Sequence, residues 1–192
     1  MDKSTRIVTE QQVYKGHDVF LTAVIEVPKL RSEGTTYQIK REMLKTKDSV
    51  LVLLYAPTID SFIFCQQFRT GVFFNDAGED PFLLECVAGA IDEGSPEDTA
   101  RKEVFEETGI KITSLSKIAS VYKSPGIVTE KGHIFYAEVA GVPESGFFGV
   151  DDEDIKTHVI SKNDVYKLMD EMRILDISTL MALIWFRGRD CL

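Results

Sequence analysis

The stretch GAIDEGSPEDTARKEVFEETGI, residues 89–110, sets seven acids against two bases between Asp92 and Glu107. Ser95 is a good N-cap, Pro96 suits the first helical position, and Asp98, three residues after Ser95, completes a capping box. Gly109 stands where a C′ glycine ends a helix. The spacing therefore predicts a helix from about Pro96 to Thr108. Ala100 and Val104, continued by Thr108, form an apolar line at i,i+4, and Glu103 and Glu107 form a neighbouring line with Glu106 beside them. Glu97 and Asp98 face the positive end of the helix and have Arg101 and Lys102 at i+4, which favours pairing. Glu103, Glu106 and Glu107 crowd the negative end, where their mutual repulsion costs stability unless a cation sits among them.

A divalent, oxygen-loving ion is the natural cation. Mg²⁺ takes one or two carboxylates, keeps waters and shares the rest of its shell with phosphate oxygens. Glu103 and Glu107, one turn apart, can both reach such an ion. From the helix alone a solvated acidic face remains the alternative. Two further features favour the ion. The apolar run before the helix ends in the glycine-punctuated VAGAIDEG, which lets backbone carbonyls approach a metal, and a second acidic group, Asp151 to Asp154, lies in a long glycine-bearing loop.

Outward from this helix the chain reads as strands. Arg6 to Met43 holds three β-branched, alternating segments joined by KGHD and KLRSEGTT, the pattern of an N-terminal antiparallel sheet. Strands are expected at Ser49 to Tyr55, Ser61 to Phe68, Phe82 to Gly89, Lys117 to Tyr122, His133 to Val139 and along IKTHVI, with APTID as a turn. Two helices close the chain. One is capped by Ser161 with Asp164, and the other follows Asp176 and is expected to end at Gly188. Strands around a central helix, with helices last, indicate a mixed α+β or α/β sandwich rather than a regular doubly wound sheet.

Composition narrows the partners. A chain of 192 residues, 44% apolar, can bury one substantial core. The formal charge of −9 argues against a sequence-independent grip on nucleic acid or an anionic membrane, both of which need a basic face. Cys65, Cys86 and Cys191 form no close pair and read as reduced thiols. No signal-peptide core or membrane-length apolar run is present, so a cytoplasmic location is expected. His17, His133 and His158 lack metal-ligand spacing.

The segment from Gly89 to Ile110 resembles the Nudix box, G-x5-E-x7-R-E-U-x-E-E-x-G-U with U a bulky aliphatic residue. It matches at Glu103, Val104, Glu106, Glu107, Gly109 and Ile110. The first half departs: Ser95 occupies the glutamate position, the spacing to the basic residue is one shorter, and Lys102 replaces arginine. That weakens a structural salt bridge rather than the metal-binding half. QQFR (66–69), LLECVAGAID (83–92), SPGIVTE (124–130) and DDEDI (151–155) resemble the branch that hydrolyses nucleoside diphosphate sugars such as ADP-ribose and GDP-mannose. The shortened box and the RKE and SPGxVTE wording are most similar to the GDP-mannose side.

The resemblance implies a Nudix-type α/β/α sandwich with a mixed sheet at residues 47–192, preceded by a β-sheet extension at 1–46 that serves dimerisation. It implies Mg²⁺-dependent hydrolysis of a pyrophosphate bond, with Mn²⁺ as the alternative ion. Glu103, Glu106, Glu107 and the carbonyl of Ala88 are the implied metal ligands. Glu153 is the implied general base, or the residue that positions the water, and works with Glu103 and Glu107. Arg69, Glu85, Ser124, Gly126 and Glu130 are implied substrate contacts, the SPG turn closing over the ligand. Structural alternatives stay open for several of these: an edge-strand polar face for Glu85, a solvated loop acid for Glu153, a surface charge for Arg69 and a capping acid for Glu130. Phe73, Phe74, Phe147 and Phe148 suit base stacking, packing or dimer contacts. A homodimer that exchanges its N-terminal sheets is expected, with a nucleotide sugar as the small-molecule partner. The rival readings are a nucleotide-sugar sensor that does not turn over and a nucleoside triphosphate or dinucleoside polyphosphate hydrolase.

Overall fold

The computed structural model describes residues 5–150 and 153–189, which form two compact units. Asp151, Asp152 and Cys191, singled out above, lie outside the described residues. The first unit comprises residues up to Asp48 together with Tyr122–Lys131. Its β1 (Arg6–Lys15), β2 (Val19–Pro28) and β3 (Thr36–Lys45) form an antiparallel sheet in the order β1-β2-β3, where the alternating segments predict strands. β1 is exposed at every position, and Leu21 and Ala23 of β2 are the apolar residues this sheet buries fully.

The second unit comprises Ser49–Val121 and the chain from Gly132 onward. Its strands are β4 (Ser49–Ala56), β5 (Ser61–Phe68), β6 (Phe82–Glu85), β7 (Val87–Ala90), β8 (Ser116–Tyr122), β9 (Lys131–Glu138), β10 (Phe147–Phe148) and β11 (Ile155–Ser161). They make one mixed sheet in the order β10-β11-β5-β4-β9-β8, with β6 on β5 and β7 on β4. The β4 and β9 strands run parallel, and the β4–β5, β4–β7, β5–β6 and β5–β11 pairs are antiparallel.

Strand alternation divides the core into two layers, because successive side chains point to opposite faces. Val50, Val52, Leu54, Ile63, Cys65, Phe135 and Ala137 pack with Val87 and with Ala100 and Val104 of α2 (Pro96–Thr108). Leu51, Leu53, Phe62, Phe64, Ile134 and Tyr136 pack on the other side against α3 (Lys162–Asp170) and α4 (Ile177–Arg189), through Val165, Met169, Leu183 and Phe186. Each fully buried Leu, Ile or Phe contributes about 1.5–3 kcal/mol. Two helical layers on one mixed sheet give the α/β/α sandwich.

Three local expectations need correction. Phe82 to Gly89 is not one strand: it breaks at Cys86, where β6 leaves its β5 partner and β7 takes up β4. Helix α4 does not end at Gly188 but continues to Arg189; glycine costs only about 1 kcal/mol in a helix, too little to stop one held by packing. The expected Glu97–Arg101 and Asp98–Lys102 pairs give way to others. Lys102 pairs forward with Glu106 at 2.9 Å and lies 3.7 Å from Glu103, and Arg101 donates to the Ile112 carbonyl. A short helix with no marked sequence signal, α1 (Thr70–Asn75), follows Arg69.

Candidate active site

The site is organised around α2. Ser95 caps it as the spacing predicts, its hydroxyl accepting from the Asp98 amide at 3.1 Å, and Pro96 opens the first turn. Gly109 ends it in the left-handed conformation at φ 68°, its amide donating to the Phe105 carbonyl. With Ala100 and Val104 fully buried under the sheet, the helix has one rotation available. That rotation puts Glu103 and Glu107 against β7.

Gly89 shows how close this approach is. A Cβ at that position would collide with the Glu103 carboxyl group and lie 2.6 Å from its Cγ, so any side chain here would have to displace that carboxyl group. Glu107 is the most enclosed of the late glutamates, at 3% exposure. Burial pushes its carboxyl up to about 8, and the neighbouring Glu103 and Glu153 add to the rise. Hydrogen bonds from the Cys65 thiol and from the Ala88 amide partly offset it. Glu103 is also raised, first by burial and then by Glu106 and Glu153, with Lys102 opposing. Cys65, buried and beside Glu107, has its thiol pushed well above the ordinary range and stays a neutral donor.

Glu153 reaches this group from a separate loop. Gly149 adopts φ +115°, and a Cβ on it would collide with the Glu153 carbonyl; the Glu153 amide donates to the Val150 carbonyl at 3.1 Å. The ring of Phe148 lies 3.2 Å from where a Cβ on Gly109 would stand, which seats the β10 end of this loop on the C-terminus of α2. Among the described residues no Lys, Arg or His lies within ion-pair distance of Glu107 or Glu153.

On the same face, Arg69 and Glu85 form a forked ion pair. Arg69 Nε donates to both Glu85 oxygens at 3.0 Å and its NH2 group to Oε2 at 2.5 Å. Burial opposes the Arg69 charge, but Glu85 more than offsets this and holds its pKa above the ordinary value. The pair follows from register: Cys65 stands opposite Glu85, so Glu85 shares the face of Cys65 and Glu107. Behind it, the Cys86 amide at the strand break donates to Thr179 Oγ1 of α4 at 2.9 Å, and the Thr179 amide donates to Asp176.

Arg69, Glu85, Glu103, Glu107 and Glu153 are thus gathered on the α2 face of the sheet, with Glu106 at the margin on Lys102, whereas the Ala88 side chain packs on the opposite face. Ala88 meets Glu107 through its amide. Ser124, Gly126 and Glu130 belong to the first unit, where Glu130 pairs with Lys123 at 2.8 Å. Among the described residues no three His, Cys, Asp or Glu side chains form a finished ligand set. The sequence marks Cys65 only as a reduced thiol and Asp176 only as the residue ahead of α4, and it does not mark Thr179. Alternation from Ile63 would have turned Cys65 toward α2, whereas nothing local marks a bond that spans from Cys86 to Thr179.

Comparison with known proteins adds four findings. The NUDIX domain profile matches residues 45–178. The chain is 34% identical over 185 residues to an ADP-ribose pyrophosphatase of Haemophilus influenzae, covering 94% of this chain and 85% of that protein. It is 33% identical over 177 residues to a GDP-mannose pyrophosphatase of Pectobacterium atrosepticum, covering 92% and 91%. A crystal structure of an ADP compounds hydrolase superposes with a TM-score of 0.73 at 18% identity over 99% of this chain and 98% of that one, a likeness of fold alone.

Proposed function

The chain belongs to the NUDIX family and is a hydrolase of its nucleoside diphosphate sugar branch; on that footing we propose that it cleaves the pyrophosphate bond of ADP-ribose, GDP-mannose or a related nucleotide sugar to a nucleoside monophosphate and a sugar phosphate, using Mg²⁺. The observation that carries this reading is the convergence of Glu103, Glu107 and Glu153 on one glycine-lined face of α2, with no cation opposite Glu107 or Glu153 among the described residues. The activities for which the two related pyrophosphatases are named support the substrate class.

The residues present fit a divalent ion. Two carboxylates one turn apart, buried enough to resist ionisation, gain more from a cation than from water. An incomplete protein ligand set suits Mg²⁺, which fills its shell with water and phosphate oxygens. Glu103 and Glu107 would hold it, with Glu106 and the Ala88 carbonyl assisting. When bound, the ion acidifies water and neutralises charge on the leaving phosphate. This chain's own contribution is positioning and proton transfer. Glu153 takes a proton from the attacking water, an effect worth about 10²–10⁴-fold. Arg69, oriented by Glu85, offers a planar fork to a phosphate or sugar oxygen. Ser124, Gly126 and Glu130 are proposed as substrate contacts.

The first unit is proposed to mediate a homodimer. A three-stranded sheet has little core of its own, and β1 presents Ile7, Val13 and Tyr14 to solvent at 62%, 55% and 66% exposure. A second copy would cover them. A cytoplasmic location is proposed, because a reducing compartment keeps thiols such as the buried Cys65 and Cys86 free; no helix among the described residues is long and apolar enough to cross a membrane.

A panel of ADP-ribose, ADP-glucose, GDP-mannose and UDP-glucose, with Mg²⁺ and a coupled phosphatase, tests the reading. Release of phosphate from at least one of them, suppressed by a chelator, is expected. Binding without release from any would favour a sensor.

A further inference from the structure

The loop Ser124–Glu130 is laid along the C-terminal end of β3. Within the loop the Ile127 and Val128 amides both donate to the Ser124 carbonyl, at 3.1 and 2.8 Å, which closes a turn. From there the chain runs beside residues 44–48 as a short parallel ladder. The Leu44 amide donates to the Ile127 carbonyl at 2.8 Å, and the Thr129 amide returns a bond to the Leu44 carbonyl at 3.1 Å. The Thr129 hydroxyl then bonds the Thr46 peptide on both sides, accepting from its amide at 3.1 Å and donating to its carbonyl at 3.3 Å. Two residues further, the Lys131 amide donates to Asp48 Oδ1 at 3.0 Å.

Packing does little to hold this turn. Ser124 to Ile127 are exposed, and a cleft of about 300 Å³ lies between residues 125–129 and Ile25, Arg41 and Met43. The ladder therefore supplies the restraint, and its side-chain elements are the Asp48 carboxylate at its far end and the Thr129 hydroxyl, which replaces a strand partner for the Thr46 peptide. The neighbouring Thr46 hydroxyl is buried and makes no hydrogen bond, so it takes no part.

We propose that Thr129 is a positioning residue: by clamping the Thr46 peptide it fixes the 124–130 loop on the N-terminal sheet in the conformation that meets substrate. The clamp gives the sheet a second task beside its proposed dimerisation. Its effect on catalysis rests on the proposed role of Ser124, Gly126 and Glu130 as substrate contacts; its effect on the loop does not. A pre-set loop loses less conformational freedom when ligand arrives, so the benefit falls on binding rather than on the chemical step.

The test uses the full chain with Thr129→Val, which keeps the shape and removes the hydroxyl, and Thr129→Ser, which restores it. Amide hydrogen exchange by NMR should show Thr46, Ile127 and Val128 exchanging about tenfold faster in Thr129→Val and at the wild-type rate in Thr129→Ser. Thr46→Val, which removes a hydroxyl that bonds nothing, should leave those amides at wild-type rates. With a nucleotide sugar that the wild type hydrolyses, KM should rise about three- to tenfold in Thr129→Val with kcat within twofold, and Thr129→Ser should recover it. Equal exchange in wild type and Thr129→Val would overturn the clamp. Loss of kcat at constant KM, or equal impairment by Val and Ser, would overturn the positioning role. A wild type that hydrolyses no nucleotide sugar would refute the proposed function, and the exchange comparison would still decide the clamp.

Discussion

Replacing Glu107 by glutamine should make the metal-free protein more stable at alkaline pH. Burial raises the Glu107 carboxyl from 4.5 to about 8, so the folded chain keeps a proton that the unfolded chain releases across that interval. Stability is then fully present below pH 4.5 and falls as the pH rises toward 8, because the unfolded state binds fewer protons. Each pH unit in the window removes about 1.4 kcal/mol, for a total of about 5 kcal/mol. Glutamine never ionises, and its amide oxygen can still accept from the Cys65 thiol and the Ala88 amide. Allowing for an amide group that must find its own partner, Glu107→Gln should gain about 2–5 kcal/mol over wild type at pH 8.5 with chelator present. In a protein of this length that is roughly 5–20 °C in Tm. The assay is thermal melting by circular dichroism at pH 5 and pH 8.5, with EDTA or with Mg²⁺. The two proteins should melt close together at pH 5 and apart at pH 8.5. Mg²⁺ should raise the wild type, by about 2.7 kcal/mol at a hundredfold excess over Kd, and leave the variant where it was. Coincident melting curves at both pH values would refute the reasoning, because they would mean that Glu107 ionises as readily folded as unfolded.

Three further outcomes follow from the site and the first unit. Glu153→Gln should lower kcat by about 10²–10⁴-fold while the Mg²⁺ titration midpoint stays put; a collapse of metal affinity would make Glu153 a ligand instead. Arg69→Ala leaves Glu85 unpaired, with side-chain exposures of 38% and 10% in the pair. It should therefore destabilise by about 1–3 kcal/mol, less than a fully enclosed pair would, and raise KM; adding Glu85→Ala should restore Tm but not KM. Light scattering on a sizing column should give twice the monomer mass, and Ile7→Glu with Val13→Glu should give the monomer. A wild type that elutes as a monomer would remove the dimer proposal.

Helix α2 was legible in the sequence because its signals are local: Ser95, Pro96, Asp98 and Gly109 each act within one turn of their own position. The sandwich was legible for a similar reason, since the apolar residues of β4 and β5 mark buried strands and the closing helices carry their own caps. What stayed hidden depends on distant partners. No glycine or proline adjoins the break at Cys86 within FLLECVAG, and only the change of partner from β5 to β4 creates it. Gly188 reads as a stop by propensity, but a glycine's cost of about 1 kcal/mol does not by itself end a helix. At the site, the acids were visible as an excess of like charge at the wrong end of a helix. The Arg69–Glu85 fork was not, because it is set by β5–β6 register across 16 residues. The Cys65 and Ala88 donors that hold Glu107 were hidden likewise, since strand and helix meet only in the fold. The 124–130 loop read as a ligand-covering turn, and nothing in its own residues pointed to β3 as its support.

Phosphorus NMR of a nucleotide sugar incubated with the protein tests the central claim most directly. With Mg²⁺ present, the coupled diphosphate signals of ADP-ribose or GDP-mannose should give way to two phosphomonoester signals, one for the nucleoside monophosphate and one for the sugar phosphate. EDTA or Glu107→Gln should leave the diphosphate intact. Appearance of a nucleoside diphosphate, which means cleavage at the sugar carbon, or persistence of the diphosphate signals for every nucleotide sugar tried, would contradict it.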